Sequence, residues 1–317
     1  MRYLLVCRFC QIYSSTFSGG IHRPSELIIR IMRSQKRVFL RDILHHCYQR
    51  TDAGVVIFYN VSDYLAFFTL FCITARKYRV KVLAMSLMAD HIHLSIIEER
   101  KGEISAFVRE YSSHFARVHN PVCHTKGALF EPRFGCAPKR GDKAARTNLI
   151  YVGNNGPERR LCRRAEEYRW NFLAYAISDH PFSEKYIARD ASKALRNARS
   201  RIRLLSEKNR PLPYVLLQTF FARLVRKEKE QLVDYIIGKY NIIDYVSAIR
   251  FFDTYEDMLS AMHASTGSEY DLNEVFIGKS DAHYARMSSL VFSELGFRDV
   301  HDVLALANEE KIGRAHV

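Results

Sequence analysis

The chain has 317 residues, 48% hydrophobic and 26% charged, a make-up that argues for a folded globular protein and against a disordered chain or a membrane class. Lys and Arg number 48 against 34 for Asp and Glu, a net charge of +14. That excess favours a polyanionic partner, nucleic acid first, through phosphate neutralisation and counterion release. A basic protein with a merely solvated positive surface is the alternative that charge alone leaves open.

The first 37 residues contain Gly19-Gly20 and no clean periodicity, and Met32 stands as an alternative start. They are expected to form a poorly defined extension. The Tyr3-Leu-Leu-Val-Cys7 patch is too short for a signal-peptide core and is broken by Arg8. Seven scattered cysteines suggest reduced thiols, and Cys7-x-x-Cys10 has no second pair to complete a zinc site. A cytoplasmic, nucleoid-associated protein is expected.

Residues 40–49 and 55–59 have the β-branched, aromatic and apolar content of strands. Ser62 or Asp63 offers an N-cap for a helix to about Tyr78, with Leu65, Phe68, Cys72 and Ala75 at helical spacing. Its opposite face is almost as apolar, so deep burial is expected. The apolar run 64–75 falls short of the roughly 20 residues that span a bilayer. Residues 80–88 and 91–97 read as two strands, or one interrupted strand, with Ala89-Asp90 as a bend or bulge. Ile104, Phe107, Val108, Tyr111, Phe115 and Val118 predict a helix ending before Asn120-Pro121. An edge strand is expected around Phe130 to Phe134. Strand, helix, strand, strand and helix predict an α+β fold: a ferredoxin-like or RRM-like antiparallel sheet with helices on one face. Residues 38–183 are expected to be one domain, and 184–317 a helical, basic C-terminal region. Residues 284–303 have a helix-turn-helix pattern of a kind that is common in bundles of no DNA function. Ile312-Gly-Arg-Ala-His-Val317 reads as translated adapter sequence, so the natural chain is expected to continue.

Two segments carry the chemistry. In Asp90-His-Ile-His-Leu94 the two histidines are two apart, so in a strand they share one face and form a pair of imidazole metal donors. Two polar residues on a solvated face would show the same spacing. In Tyr151-Val-Gly-Asn-Asn155 the tyrosine and Asn155 are four apart, one turn of a helix capped at Thr147 and ending near Gly156-Pro157. Asn155 could add a carboxamide oxygen to a hard cation, and Tyr151 could attack a phosphate that the cation polarises. A core tyrosine near a helix end is the other reading.

Met88-Ala-Asp-His-Ile-His-Leu94, Gly127-Ala-Leu-Phe-Glu-Pro-Arg-Phe134, Tyr151-Val-Gly-Asn-Asn155 and Tyr168-Arg-Trp-Asn-Phe172 together resemble the REP-associated tyrosine transposases, within the HUH superfamily of single-strand DNA endonucleases. The resemblance implies His91, His93 and Asn155 as ligands of Mg²⁺ or Mn²⁺ and Tyr151 as the nucleophile that becomes joined to a DNA 5′-phosphate. It implies single-stranded DNA with hairpin or palindromic repeats as substrate, and dimerisation is common in such a family. The chain departs from the family pattern at Gly153 and Gly156-Pro157. Since Gly in a helix costs about 1 kcal/mol relative to Ala, a less rigid catalytic helix or an impaired enzyme is expected.

Between residues 133 and 169 ten cations face four acids. Arg133, Lys139, Arg140, Lys143, Arg146, Arg159, Arg160, Arg163 and Arg164 are the candidate DNA contacts, with Tyr168 and Trp170 as aromatic faces for unstacked bases. Trp170, the one tryptophan, reads better as a core anchor, and Arg133 also has a structural reading. Two further functions fit the same residues: a metal-dependent phosphodiesterase using activated water, and a catalytically inactive protein that binds DNA hairpins as a regulator.

Overall fold

The computed structural model describes residues 40–266. The extension 1–37, the helical pair at 284–303 and the segment 312–317 lie outside the described residues. Four strands, β1 (Leu44–Arg50), β2 (Lys81–Met88), β3 (His91–Ile97) and β4 (Gly135–Lys139), form one antiparallel sheet in the order β2-β3-β1-β4. With its helices, the sheet makes the expected α+β fold. Helices α1 (Val61–Tyr78) and α2 (Glu103–Cys123) cover the face to which Cys47, Met85, Leu87, Ile92, Leu94 and Ile96 point. Helix α3 (Gly141–Glu158) crosses the other face, the one that carries the histidines, so helices lie on both faces of the sheet rather than on one as expected; there Ser95 donates to Asn148 at 2.8 Å.

Helix α1 is apolar nearly all round because it is covered on all sides. Phe67 and Phe71 meet Phe107 and Tyr111 of α2, while Phe68 stacks on Phe172 at 4.4 Å. Its remaining side is closed by α4 (Lys193–Glu207), α5 (Tyr214–Phe221) and α6 (Arg226–Tyr240), whose Leu195, Leu217, Leu232 and Ile236 share one apolar cluster with it. Two short helices, α7 (Tyr245–Ile249) and α8 (Tyr255–Ser265), close a second cluster against α3 through Ala248, Met258, Met262 and Leu149. The basic helical region beyond residue 183 is thus packed onto the sheet unit as far as it is described. Among the described residues no helix is long and apolar enough to cross a membrane.

Several boundaries differ from expectation. Residues 55–59 are not a strand: both edges of β1 are taken by β3 and β4, and Ile57 and Phe58 instead donate from their backbones to the Ala89 carbonyl at 2.9 and 3.3 Å and bury their side chains. Asn60, not Ser62 or Asp63, caps α1; Asp63 sits three residues in and closes a capping box. Ala89 and Asp90 form a two-residue turn joining β2 to β3. Helix α2 runs through Pro121 and ends at Cys123. The edge strand lies at Gly135–Lys139, a segment whose Gly and Pro gave little strand signal; Pro138 is tolerated because β4 is an edge. Helix α3 starts at Gly141, so Thr147 lies inside it, bonding the Lys143 carbonyl at 2.9 Å rather than capping.

Candidate active site

Because side chains alternate along a strand, His91, His93 and Ser95 of β3 face α3 together. Register with β1 adds a second row: Arg50 lies opposite His91, Tyr48 opposite His93 and His46 opposite Ser95. His46 is therefore a diagonal neighbour of His93, and its Nε2 lies 3.1 Å from His93 Nδ1. Asp90, in the turn before β3, holds His91 Nδ1 at 2.6 Å. The rings of His91 and His93 stand perpendicular with centroids 5.0 Å apart. Tyr151, from α3, meets His93 edge-on at 5.3 Å and His46 at 5.4 Å. His91 and His93 thus share one face, as their spacing predicts, and α3 brings Tyr151 to His93 and to His46.

These histidines are buried, and burial controls their chemistry. It holds His93 well below the ordinary histidine range, with His91, His46, Arg159 and Arg50 adding to the effect. His46 is lowered to about 3, chiefly by burial and then by the Lys139 charge. Both rings are neutral near pH 7, the form in which an imidazole nitrogen can donate a lone pair to a cation.

Asn155 is buried one turn beyond Tyr151, and its amide nitrogen donates to the Tyr151 carbonyl at 2.9 Å. That bond occupies the donor end of the side chain, so the carbonyl oxygen is the end suited to a hard cation. Among the described residues there is no group of three or more His, Cys, Asp or Glu that could hold a metal. Two imidazole nitrogens and a carboxamide oxygen are nevertheless lone-pair donors that can hold a divalent cation, the oxygen being the donor that suits Mg²⁺ or Mn²⁺.

Helix α3 owes its position to contacts made at its unusual residues. Pro157 has no N–H for the Gly153 carbonyl four residues back, and Asn171 supplies the missing donor at 3.1 Å. A methyl on Gly153 would come within 2.6 Å of Met262 Cε, and one on Gly156 within 2.8 Å of Tyr168 Cβ. Each glycine is a site of close approach, the first to α8 and the second to the segment after α3. Asn154 adds a bond to the Met262 carbonyl at 2.7 Å. The helix expected to be less rigid is therefore braced over its C-terminal half, from Gly153 to Pro157.

The same bracing accounts for Tyr168-Arg-Trp-Asn-Phe172. Tyr168 is buried and donates to the Leu87 carbonyl at 2.6 Å; Trp170 stacks on Tyr64 at 4.1 Å; Arg169 pairs with Glu230 at 2.6 Å. Trp170 is a packing residue, as its preferred reading had it, and Tyr168 is not placed to stack on bases. Of the candidate DNA contacts, Arg133, Arg140, Lys143, Arg146, Arg160, Arg163 and Arg164 are exposed, while Lys139 and Arg159 are half-buried close to the histidines. His46, Arg50 and Asp90 were missed. The alternation His46, Tyr48, Arg50 was visible, but not the register that sets it beside β3.

Residues 42–155 match the family model described as "Transposase IS200 like", a span that holds both histidines, Tyr151 and Asn155. Residues 42–155 are an IS200-like transposase domain. This agrees with the transposase resemblance of the sequence motifs; Tyr168–Phe172 falls beyond the matched span. No curated protein matches the chain. A solved structure described as "Structure of the REP associates tyrosine transposase bound to a REP hairpin" is similar at 14% identity and a TM-score of 0.40, over 51% of this chain and 98% of that one.

Proposed function

We propose that the transposase domain cleaves and rejoins single-stranded DNA near hairpin or palindromic repeats through a covalent phosphotyrosine at Tyr151. The observation that carries this reading is the contact of the Tyr151 ring with His93 and His46 on the buried face of the sheet. In the cleavage step the Tyr151 oxygen attacks phosphorus and gives up its proton, the bond from phosphorus to the 3′-oxygen breaks, and that oxygen leaves as a 3′-hydroxyl after taking a proton. His91, His93 and Asn155 would hold Mg²⁺ or Mn²⁺. When bound, the ion stabilises charge developing on the phosphate. The protein's own part is to fix Tyr151 through the braced α3, to keep His93 neutral by burying it, and to draw DNA toward the site with Arg50, Lys139 and Arg159.

Residues 38–183 are the catalytic unit on this reading, with the helical region from 184 as an accessory. The exposed arginines and lysines between 133 and 164 form the DNA track, and the protein works in the cytoplasm on nucleoid DNA, with a homodimer as its working form. Incubation with end-labelled hairpin DNA and Mn²⁺ or Mg²⁺ tests the reading on denaturing gels. Wild-type protein is expected to give a covalent adduct and a cut strand, and Tyr151→Phe and His91→Ala neither. Cleavage that survives Tyr151→Phe but not His91→Ala would indicate a phosphodiesterase using water; hairpin binding without cleavage would indicate a regulator.

A further inference from the structure

We propose that His46 is a positioning residue that fixes the ring tautomer of His93: its Nε2 accepts the Nδ1–H of His93, leaving the His93 lone pair on Nε2 for the cation. The inference rests on the reading of His93 as a metal ligand. Two buried rings whose nitrogens lie 3.1 Å apart share one hydrogen, and it can sit in either of two places. If His46 Nε2 carried it, His93 Nδ1 would be the acceptor and His93 Nε2 would bear a proton, so neither nitrogen could bind a cation. If His93 Nδ1 carries it, Nε2 is a donor. Only the second arrangement suits a ligand.

The neighbouring ring is set in the same way. Asp90 Oδ1 lies 2.6 Å from His91 Nδ1, and a carboxylate can only accept, so the proton is on Nδ1 and, in the neutral ring, the lone pair is on Nε2. Two different partners, a carboxylate from the turn and an imidazole from β1, thus leave each histidine with the same nitrogen as donor. His46 can do this because β1–β3 register places it diagonal to His93 on one face, and because α3 closes over it through Tyr151 at 5.4 Å.

Long-range ¹H–¹⁵N spectra of the metal-free protein report the tautomer directly, and calorimetric titration with Mn²⁺ reports the donor set. Wild-type His93 is expected as the Nδ1–H form. His46→Leu, which removes the acceptor, is expected to lose that fixed form and to weaken Mn²⁺ binding about 10–100-fold. His46→Gln, whose carbonyl can accept, is expected to keep both near wild type. His93 protonated on Nε2 in the wild type would overturn the proposal, and this is decided even if the leucine variant does not fold. A leucine variant with wild-type tautomer and Mn²⁺ affinity would overturn it too, and if that variant nonetheless lost cleavage, His46 would act on Tyr151 instead. Wild-type protein that binds no Mn²⁺ would refute the metal reading, while the tautomer spectrum would still decide the role of His46.

Discussion

Asp63 is 3% exposed, yet its carboxylate accepts the backbone N–H groups of Tyr59 and Asn60 at 2.9 Å and so fixes the start of α1. Burial raises its pKa from 3.8 to about 6 against the effect of those bonds. The folded state therefore holds a proton that the unfolded chain has lost, and the stability this contributes is present below pH 4 and disappears as pH rises through about 6. Asp63→Asn keeps an acceptor without the charge. Its stability relative to wild type, from urea midpoints, is expected to rise by up to about 3 kcal/mol between pH 4 and pH 7. Parallel pH profiles would contradict this. His91 and His93 were legible at the same scale, because sharing a face at two-residue spacing is a property of one strand. His46 was not, because its partner lies 47 residues away and only strand register brings them together.

At the scale of elements, α3 is held by what lies against its glycines. The Cβ of Gly156→Ala would meet Tyr168 Cβ and Cγ at 2.8 Å, atoms that cannot swing aside, since Tyr168 is tied to the Leu87 carbonyl. Overpacking of this kind costs about 1–3 kcal/mol, more than the ~1 kcal/mol that alanine adds to helix propensity. Gly153→Ala meets the end of the flexible Met262 side chain, so its two effects are expected nearly to cancel. Denaturant midpoints should therefore show Gly156→Ala clearly less stable than wild type and Gly153→Ala close to it; the reverse order would refute the packing account. Tyr151 and Asn155 on one helix face could be read from their four-residue spacing. The pairing of Gly153 with Met262, and of the Gly153 carbonyl with Asn171, could not, because each joins α3 to a later segment. Residues 55–59 show the converse: strand composition is not sufficient for a strand, and both edges of β1 were already occupied.

For the whole molecule, the net charge of +14 acts through where the cations lie. Lys139 and Arg159 stand close enough to the histidines to affect them electrostatically, and Arg133, Arg140, Lys143, Arg146, Arg160, Arg163 and Arg164 are exposed. If they form the DNA track, binding to a single-stranded hairpin DNA should weaken linearly in log salt. Paired replacement of Arg163 and Arg164 by Gln should lower the slope by about 1–2, since each phosphate contact on single strands contributes about 0.7. An unchanged slope would place the track elsewhere.

The central claim is that Tyr151, held by α3 against His93, is the nucleophile. The most direct measurement is mass spectrometry of protease-digested protein after reaction with hairpin DNA and Mn²⁺, followed by nuclease trimming. The account predicts a nucleotide attached through its 5′-phosphate to the peptide containing Tyr151, and its absence from Tyr151→Phe. An adduct on another residue, or cleaved DNA with no adduct on any peptide, would contradict it.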